Sequence, residues 1–487
     1  MSKIKTTAEA IKEDSIAKDP EDSKTKEDNV RRAKEALKEG LKIVTAEEEK
    51  KTLIKAKAQI KNNIEQKKKA LKLLSNPRLL YKIKRQFEKL GIAGEVRNCL
   101  MIYLTLTSRM MDRPISVVPK GESSSGKSYM ISLVLKLLPK NAYVEMTAAT
   151  AQSFYHAGKN DFKHKIIVVY ERKGSESSDY SIRSFQSEGN LKLQITVKDK
   201  KTGNFKVKRK EVSGPIGFLT TTTDPQIHDE NETRVFSLYT NESTKQTARI
   251  FKASSAGYKG VNSISNLRLK KFKKLQRLLK TYKVLIPYVD DLASTFPLKP
   301  VRVRRDFPRF LTLISVITLL HQCQREKRII NRKEYLVSSL ADYYIAKIIA
   351  ERMLKQTIFE IAPKTKQIIK VAKKIIDLKI KKQLLNSKSG ISTMAGSNPT
   401  FSIRELAERL EWGYKTTYKW FKPALEKTYF TMEEMQRGRQ GATYIINRMK
   451  ANQIILPEVN DMIKKYPLNR ERIYNPITGE YLDLGKK

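Results

Sequence analysis

Residues 117–128 have the sequence VVPKGESSSGKS, and from Gly121 to Ser128 they match the phosphate-binding loop pattern G-x-x-x-x-G-K-[ST]. Gly121 and Gly126 allow the backbone to turn tightly, so that successive N–H groups face phosphate oxygens. Lys127 supplies a positive charge for the β- and γ-phosphates, and Ser128 supplies a hydroxyl for Mg²⁺. The stretch therefore predicts a nucleotide-binding loop.

The residues on either side of this loop strengthen the prediction. The apolar run 115–118 predicts a buried strand that enters the loop, and residues 129–138 predict a helix that ends before Pro139. This order places the positive end of a helix dipole under the bound phosphates. We expect the loop residue Ser125 to contribute to the same phosphate site.

The chain has 487 residues, enough for roughly three domains, and its composition is strongly basic. Its 97 Lys and Arg residues outnumber 51 Asp and Glu residues, which gives a formal net charge of +46. A field of this sign attracts polyanions, so nucleic acid is the leading partner class.

Cysteine and histidine usage argues against several other classes. Cys99 and Cys323 are the two cysteines, and the four histidines stand at unrelated spacings, so neither a zinc site nor a disulfide framework is predicted. Both cysteines lie in apolar segments, for which we expect buried, reduced thiols in a cytoplasmic protein. The longest apolar run, residues 310–320, suits a core helix rather than a membrane span, and the N-terminus lacks an apolar signal region.

The N-terminal part of the chain is expected to precede a core over residues 75–260. Residues 1–30 mix both charges with few aromatics, which predicts a disordered tail. Residues 31–74 have helical spacing and many lysines, which predicts a basic helical arm. This arm either faces DNA or a partner, or is simply a solvated charged helix.

Two further strands are predicted after the loop helix, over residues 142–146 and 166–171. In a P-loop ATPase the second of these should end in carboxylates that face Mg²⁺ and the attacking water. Glu171 is placed to activate water and to face the metal. Tyr170 stands where the other acid is expected, and this substitution puts efficient hydrolysis in question.

A β-hairpin is predicted at about residues 190–212, because two alternating segments, 191–197 and 205–210, flank the turn 199–203. We expect one apolar face and one face of mostly Lys and Arg. Such a hairpin suits a phosphate backbone, and an ordinary solvated hairpin is the alternative.

The next predicted strand, residues 216–219, leads into a run of four threonines, Thr220–Thr223. Their hydroxyls stand at a strand end where a γ-phosphate or water could be sensed. Arg234 precedes one more strand. Alternating strands and helices imply a parallel α/β sheet with its site at the carboxyl edge.

The C-terminal half is predicted to be mainly helical and basic. Residues 261–386 are expected to form a helical lid and extension, in which the arginines of 302–309 either reach the nucleotide or lie on the surface. Residues 387–398 form a linker, and residues 399–448 have the spacing of a winged helix-turn-helix that binds either DNA or protein. Residues 449–487 are expected to be an irregular tail.

Several of these segments together resemble the helicase half of primase-helicase proteins from phages and integrated mobile elements. They are residues 94–95, 104–109, the phosphate loop, 187–189, the basic hairpin, the threonine run, 232–234 and 304–307. That half is an AAA+ ATPase, similar to MCM replicative helicases in the hairpin inserted before its sensor-1 strand. The resemblance covers about residues 74–448. It implies a homo-hexameric ring that encloses single-stranded DNA and moves it by ATP hydrolysis at subunit junctions.

The resemblance also implies roles for individual residues. Lys127 and Ser128 would bind ATP and Mg²⁺, Glu171 would be the catalytic acid, and Thr222 would be the sensor-1 group. Arg234 would be an arginine finger supplied to a neighbour, and Arg305 the sensor-2 arginine. The residues expected to contact DNA are Lys200, Lys201, Lys206 and Lys208 of the hairpin and Lys419, Arg437 and Arg439 of the winged helix.

Two alternatives to a helicase remain open at this point. One is an AAA+ replication initiator or helicase loader, and the other is a non-enzymatic, ATP-gated DNA-binding regulator. The chain lacks the cysteines and acidic sites of a fused primase, so a primase would come from a separate polypeptide.

Overall fold

We describe a computed structural model of the chain. The residues that the structure describes are 30–36, 38–39, 53–54, 57, 60–147, 154, 157–171, 178–198, 203–225, 227–258, 266–298, 301–358, 362–388, 399–426, 429–435, 442–447, 456–466 and 472–482. They fall into two compact units, Met1–Lys68 and Lys69–Lys487. The described residues of the first unit are helical, and the predicted tail over residues 1–30 lies almost entirely outside them.

The second unit contains a parallel sheet with the strand order β2-β3-β6-β1-β7. Among the described residues, the first seven strands are β1 (Val117–Lys120), β2 (Tyr143–Met146), β3 (Lys165–Val169), β4 (Asn190–Lys198), β5 (Phe205–Ser213), β6 (Ile216–Thr220) and β7 (Phe236–Tyr239). The predicted parallel α/β sheet is confirmed. Because β6 lies between β1 and β3, the segments that follow these three strands meet at one edge.

Helices accompany these strands and follow them in the described part of the second unit. They are α1 (Leu79–Lys89), α2 (Val96–Thr107), α3 (Lys127–Leu135), α4 (Asp179–Glu188), α5 (Thr244–Tyr258), α6 (Asn266–Leu278), α7 (Val289–Thr295), α8 (Val303–Leu320), α9 (Leu340–Ile358), α10 (Pro363–Lys388), α11 (Ile403–Leu410), α12 (Tyr414–Glu426) and α13 (Val459–Ile463).

The sheet is buried on both faces, as its apolar strands require. Along β3, Ile166 and Val168 belong to the main core with α2, α3 and α8, whereas Ile167 and Val169 pack with Phe162 and α4. This alternation follows from the two-residue period of a strand. The two cores hold the strand ends in fixed positions at the edge that carries the phosphate loop.

The hairpin of β4 and β5 forms a separate two-stranded sheet next to this core. Its register pairs Leu193 with Lys210 and Gln194 with Arg209. Paired residues of antiparallel strands lie on the same face. The expectation of one apolar and one basic face is therefore wrong, because the lysine positions of β5 fall opposite apolar positions of β4, whereas Arg209 falls opposite Gln194.

A small three-stranded sheet interrupts the region that was expected to be helical. It contains β8 (Lys283–Leu285), β9 (Lys327–Ile330) and β10 (Lys333–Val337). Asn331 and Arg332 both have positive φ angles, 48° and 60°, which is the backbone of a two-residue hairpin turn. After this sheet the chain is helical again from the start of α9.

The C-terminal module, residues 362–446, combines α10, α11 and α12 with a sheet in the order β11-β13-β12. Its strands are β11 (Phe401–Ser402), β12 (Phe430–Met435) and β13 (Ala442–Ile446). Ser402 and Glu405 form a reciprocal capping box at the start of α11. The two helices at the predicted helix-turn-helix are present, and α12 continues past Pro423 to Glu426.

The predicted irregular tail contributes to the main core. Leu456, Val459, Met462 and Tyr474 are buried there against residues from other elements. Cys323 also differs from expectation: it is exposed, whereas Cys99 is buried. None of the helices in the described part of the chain combines the length and apolar character needed to span a bilayer.

Candidate nucleotide-binding site

The phosphate loop lies between β1 and α3, as the sequence predicts. Gly126 has a φ of 86° and forms the N-cap of α3, whose first turn has no side-chain cap and no acidic residue. The leading N–H groups of a helix need acceptors, and here they are available to an external anion. Ser128, in that first turn, is exposed.

Lys127 lies inside the loop and is buried. Its Nζ donates to the carbonyl oxygens of Gly121 at 2.9 Å and Glu122 at 2.6 Å, and it lies 3.3 Å from the Ser125 hydroxyl. Burial lowers the pKa of Lys127, and nearby carboxylates, including that of Glu171, act in the opposite direction. Burial without a rigid ion pair leaves the ammonium suited to phosphate oxygens.

The end of β7 supports the loop from behind. The Thr240 N–H donates to the Lys120 carbonyl at 3.0 Å, and the Glu122 N–H donates to Glu242 Oε1 at 2.7 Å. A Cβ atom at Gly121 would lie 1.9 Å from Thr240 Oγ1. Close approach of these two segments therefore requires glycine at position 121.

Thr222 lies beside the loop because β6 is the neighbour of β1. Its N–H donates to the Pro119 carbonyl at 3.2 Å, and its own carbonyl accepts from the Gly121 N–H at 3.4 Å. The Thr222 hydroxyl accepts a hydrogen bond from the Asp224 N–H at 3.1 Å. The structure thus brings the predicted sensor threonine to the phosphate loop.

Glu171 is exposed directly after β3, at the same edge of the sheet. Its charge opposes the lowering of the Lys127 pKa by burial, and it follows β3, whose carboxyl end lies at the same edge of the sheet as that of β1. Tyr170, in contrast, donates its hydroxyl to Glu145 Oε1 of β2 at 2.6 Å. Since β2 lies on the side of β3 away from β1, the phenol is directed away from the loop.

Burial raises the pKa of Tyr170, and its hydrogen bond to Glu145 acts in the same direction. The phenol therefore stays protonated at neutral pH. It cannot supply the negative charge that a carboxylate would offer at this position.

Arg234 and Arg305 are not brought to the phosphate loop of their own chain. Arg234 precedes β7, and β7 runs parallel to β1, so the two sites are separated by about 10 Å of strand. Arg234 Nη1 donates to Ser187 Oγ, and Arg305 Nη1 donates to Thr233 Oγ1. Arg234 Nε is buried and has no hydrogen-bond partner among the described residues.

Two other arginines of the 302–309 cluster, Arg302 and Arg309, anchor α8. Arg302 and Arg309 each form an ion pair with the buried Asp306 at 2.9 Å. Both also donate to backbone carbonyls of the turn before β7, Arg302 to Glu232 at 3.1 Å and Arg309 to Thr233 at 2.6 Å. These side chains hold the helix against the turn, so they are not available to reach a nucleotide.

A buried ion pair lies beneath the phosphate loop. Lys120 Nζ, fully buried, is 2.5 Å from Glu232 Oε2 and 3.1 Å from the Pro225 carbonyl. Burial raises the pKa of Glu232, but Lys120 and the Ser237 hydroxyl outweigh it and lower that pKa overall. The pair joins the last residue of β1 to the turn before β7.

Two lysines of the C-terminal module also meet the loop edge. Lys364 Nζ lies 2.6 Å from Glu122 Oε1 and 2.7 Å from Glu242 Oε2, and its ammonium is 5.5 Å from the Trp412 ring. Lys419 Nζ donates to the Thr223 carbonyl at 3.1 Å. Sequence reasoning missed Lys364 altogether, because no motif connects residues more than 200 positions apart.

The remaining residues predicted to contact DNA are less well described. Lys200, Lys201, Arg437 and Arg439 lie outside the described residues. Lys206 and Lys208 belong to β5, whose backbone pairs them with Val197 and Ile195.

The donors at this site fit a triphosphate. Uncapped N–H groups, a buried ammonium and an exposed hydroxyl converge at one helix start, with a carboxylate nearby. Within the described ranges no cluster of three or more His, Cys, Asp or Glu side chains could hold a metal. A bound Mg²⁺ would therefore be held by Ser128 and Glu171 together with phosphate oxygens and water.

Comparison with known families agrees with this geometry. Residues 61–266 match a family described as the MTBMA_p00010 P-loop domain. The chain has no match among curated proteins. The family match and the loop geometry together support a P-loop NTPase with an α/β nucleotide-binding core.

Proposed function

We propose that this protein is an AAA+ ATPase that moves along DNA as a helicase in the replication of a phage or mobile element. The observation that carries the proposal is the convergence of Lys127, Thr222 and Glu171 at one edge of the sheet. The hairpin of β4 and β5, inserted between β3 and β6, adds to it. In the family that the sequence resembles, this hairpin faces DNA.

Within one subunit, each of these residues has a separate task. Lys127 and the N–H groups of α3 bind the phosphates, and Ser128 orients the metal. Glu171 accepts a proton from the attacking water, and Thr222 positions that water. ATP supplies the phosphoryl group that is transferred, with Mg²⁺ neutralising the charge that develops on its oxygens.

The position of Arg234 supports assembly into a ring. Its guanidinium lies at the edge of the sheet opposite its own phosphate loop. Burial lowers the pKa of Arg234 most, and the nearby Arg305 and Arg183 lower it further. A basic cluster at this edge can reach the nucleotide of a neighbouring subunit. We propose that Arg234 is an arginine finger in trans within a homo-hexamer.

Contact with single-stranded DNA is supported by the hairpin end. Phe205 is 73% exposed and Val207 is 64% exposed at the start of β5, and Lys200 and Lys201 precede them in the sequence. An exposed aromatic ring in a segment rich in lysine suits stacking on bases and attraction of phosphates. The C-terminal module is proposed to be a winged helix that contacts duplex DNA through Arg437 and Arg439.

The test is DNA-stimulated ATP hydrolysis and strand separation by the full chain, with Lys127→Ala as the inactive control. Phe205→Ala should reduce stimulation by DNA without lowering basal hydrolysis. Val30→Ala, a change at an exposed helical position remote in sequence from the loop, serves as the matched control. A wild-type oligomer that hydrolyses ATP without unwinding DNA would contradict the helicase.

A second candidate, an ATP-gated DNA-binding protein, is favoured by Tyr170. Its phenol donates a hydrogen bond to Glu145. Of the two acids expected after β3, only Glu171 is therefore present. Under this alternative, Glu171→Gln would leave ATP-dependent DNA binding and the function in cells unchanged. A helicase would lose its unwinding activity with the same substitution.

A further inference from the structure

Lys419 occupies a position that its predicted role in DNA binding does not explain. It projects from α12, yet its Nζ donates to the carbonyl of Thr223, the residue after Thr222. Its charge is also felt by Lys127, whose pKa it lowers together with burial. Two ammonium groups from distant parts of the chain therefore stand at one edge of the sheet.

The position of α12 is determined by contacts around Lys364. Its ammonium bridges Glu122 of the phosphate loop and Glu242, and it lies 5.5 Å from the Trp412 ring and 5.7 Å from the Trp420 ring. Burial lowers the pKa of Lys364, but the two carboxylates outweigh this effect and raise it overall. The lysine therefore remains a cation at neutral pH.

Further contacts fix the module to the sheet. The Thr365 hydroxyl donates to the Trp420 carbonyl at 2.8 Å, and Tyr239 at the end of β7 packs against the core of the module. Trp420 itself is 2% exposed. The helix that carries Lys419 is thus held beside the phosphate loop by packed side chains as well as by an ion pair.

We propose that Lys419 is a nucleotide-sensing residue, which binds the terminal phosphate of a triphosphate held in the phosphate loop of the same chain. The proposal rests on the function proposed above. The hydrogen bond that Lys419 makes here is to a neutral carbonyl, and a phosphate oxygen is a stronger acceptor for an ammonium. A diphosphate lacks the group that Lys419 would bind, so the contact made by Lys419 distinguishes a bound triphosphate from a bound diphosphate.

The experiment measures the affinity of the full chain for ADP and for a non-hydrolysable ATP analogue. We expect Lys419→Ala to lower the affinity for the analogue by about ten-fold or more, as for loss of a charged hydrogen bond. The affinity for ADP should change by no more than about two-fold. Lys419→Arg should restore part of the preference. Lys415→Ala, an exposed change one turn earlier on α12, is the matched control and should change neither affinity.

Intrinsic fluorescence gives a second measurement that does not depend on affinity. Trp412 and Trp420 are the two tryptophans of the chain, and both lie near Lys364. The ATP analogue should change their emission and ADP should not, and Lys419→Ala should abolish this difference.

Three results would overturn the proposal. They are an unchanged preference for the analogue in Lys419→Ala, an equal loss of both nucleotides, and a fluorescence response that survives the substitution. Lys127→Ala separates this failure from that of the proposed function. If one of the three results is obtained while the wild type binds both nucleotides and Lys127→Ala binds neither, only the proposed role of Lys419 fails. If the wild type binds neither nucleotide, both proposals fall.

Discussion

The buried pair of Lys120 and Glu232 supports the strand that enters the phosphate loop, and Glu232→Gln tests it. The substitution keeps the size of the side chain but leaves a fully buried ammonium without its counter-ion. Removing one partner of a buried pair typically costs about 3–5 kcal/mol. Because the Pro225 carbonyl still accepts from Lys120 at 3.1 Å, we expect about 3 kcal/mol, at the lower end of that range.

The assay is urea denaturation of the full chain, followed by far-UV circular dichroism. The exposed pair of Lys327 and Glu334, 3.1 Å apart with side chains 42% and 44% exposed, provides the comparison. Glu334→Gln should cost less than about 1 kcal/mol. Replacing both Lys120 and Glu232 with methionine should cost less than Glu232→Gln alone, since no uncompensated charge remains.

An unfolding transition that Glu232→Gln shifts no further than Glu334→Gln does would contradict this role of the ion pair.

The same ion pair makes the free energy of unfolding depend on pH. The pKa of Glu232 is lowered in the folded protein, so the stability that Glu232 contributes is present above its unfolded pKa of 4.5. This stability is lost as the pH falls through the pKa of the folded state.

Three further predictions concern other parts of the molecule. Gly121→Ala should abolish nucleotide binding in a titration, because the new Cβ would meet Thr240 Oγ1 at 1.9 Å. Burial, with Arg325 next in effect, lowers the pKa of His321 from 6.5 to about 4. Stability should therefore fall by up to about 3 kcal/mol as the pH drops from 6.5 towards 4, and His321→Gln should flatten this dependence in denaturation curves. Cys323, which is exposed, should react with a thiol reagent in the native protein within minutes.

Each of these three predictions has a matched control. Gly413→Ala should be neutral, because its Cβ would meet nothing within 4 Å. His228→Gln, at an exposed position, should leave the pH dependence of stability intact. Cys99 should react only after unfolding, since burial raises the pKa of its thiol. Equal reaction of both thiols in the native protein would contradict the placement of Cys99 in the core.

The local parts of the candidate site could be predicted from the sequence. The loop from Gly121 to Ser128 determines its own geometry through glycine and the helix that follows. The buried strands before Glu171 and Thr222 are short apolar runs, and parallel strands bring their carboxyl ends together. These features depend on neighbouring residues, which is why sequence patterns identify them.

The parts that depend on distant residues could not be predicted in this way. Nothing in the pattern of β4 and β5 reveals their register, which places apolar and basic positions on the same face. Lys364 meets Glu122 only because two hydrophobic cores formed by distant segments lie next to each other. The burial of Leu456 and Tyr474 likewise depends on surfaces formed by other elements, not on their own segment.

The bridge formed by Lys364 has a consequence for the order in which the site is completed during synthesis. A nascent chain that has emerged as far as the start of α5 already contains the phosphate loop, with Glu122 and Glu242 beside it. Until residues 362–426 have been synthesised and folded, these two carboxylates have no lysine from the C-terminal module and oppose the approach of a phosphate. The charge pattern that favours a nucleotide is therefore complete only after Lys364 and the helices that hold it in place have been made.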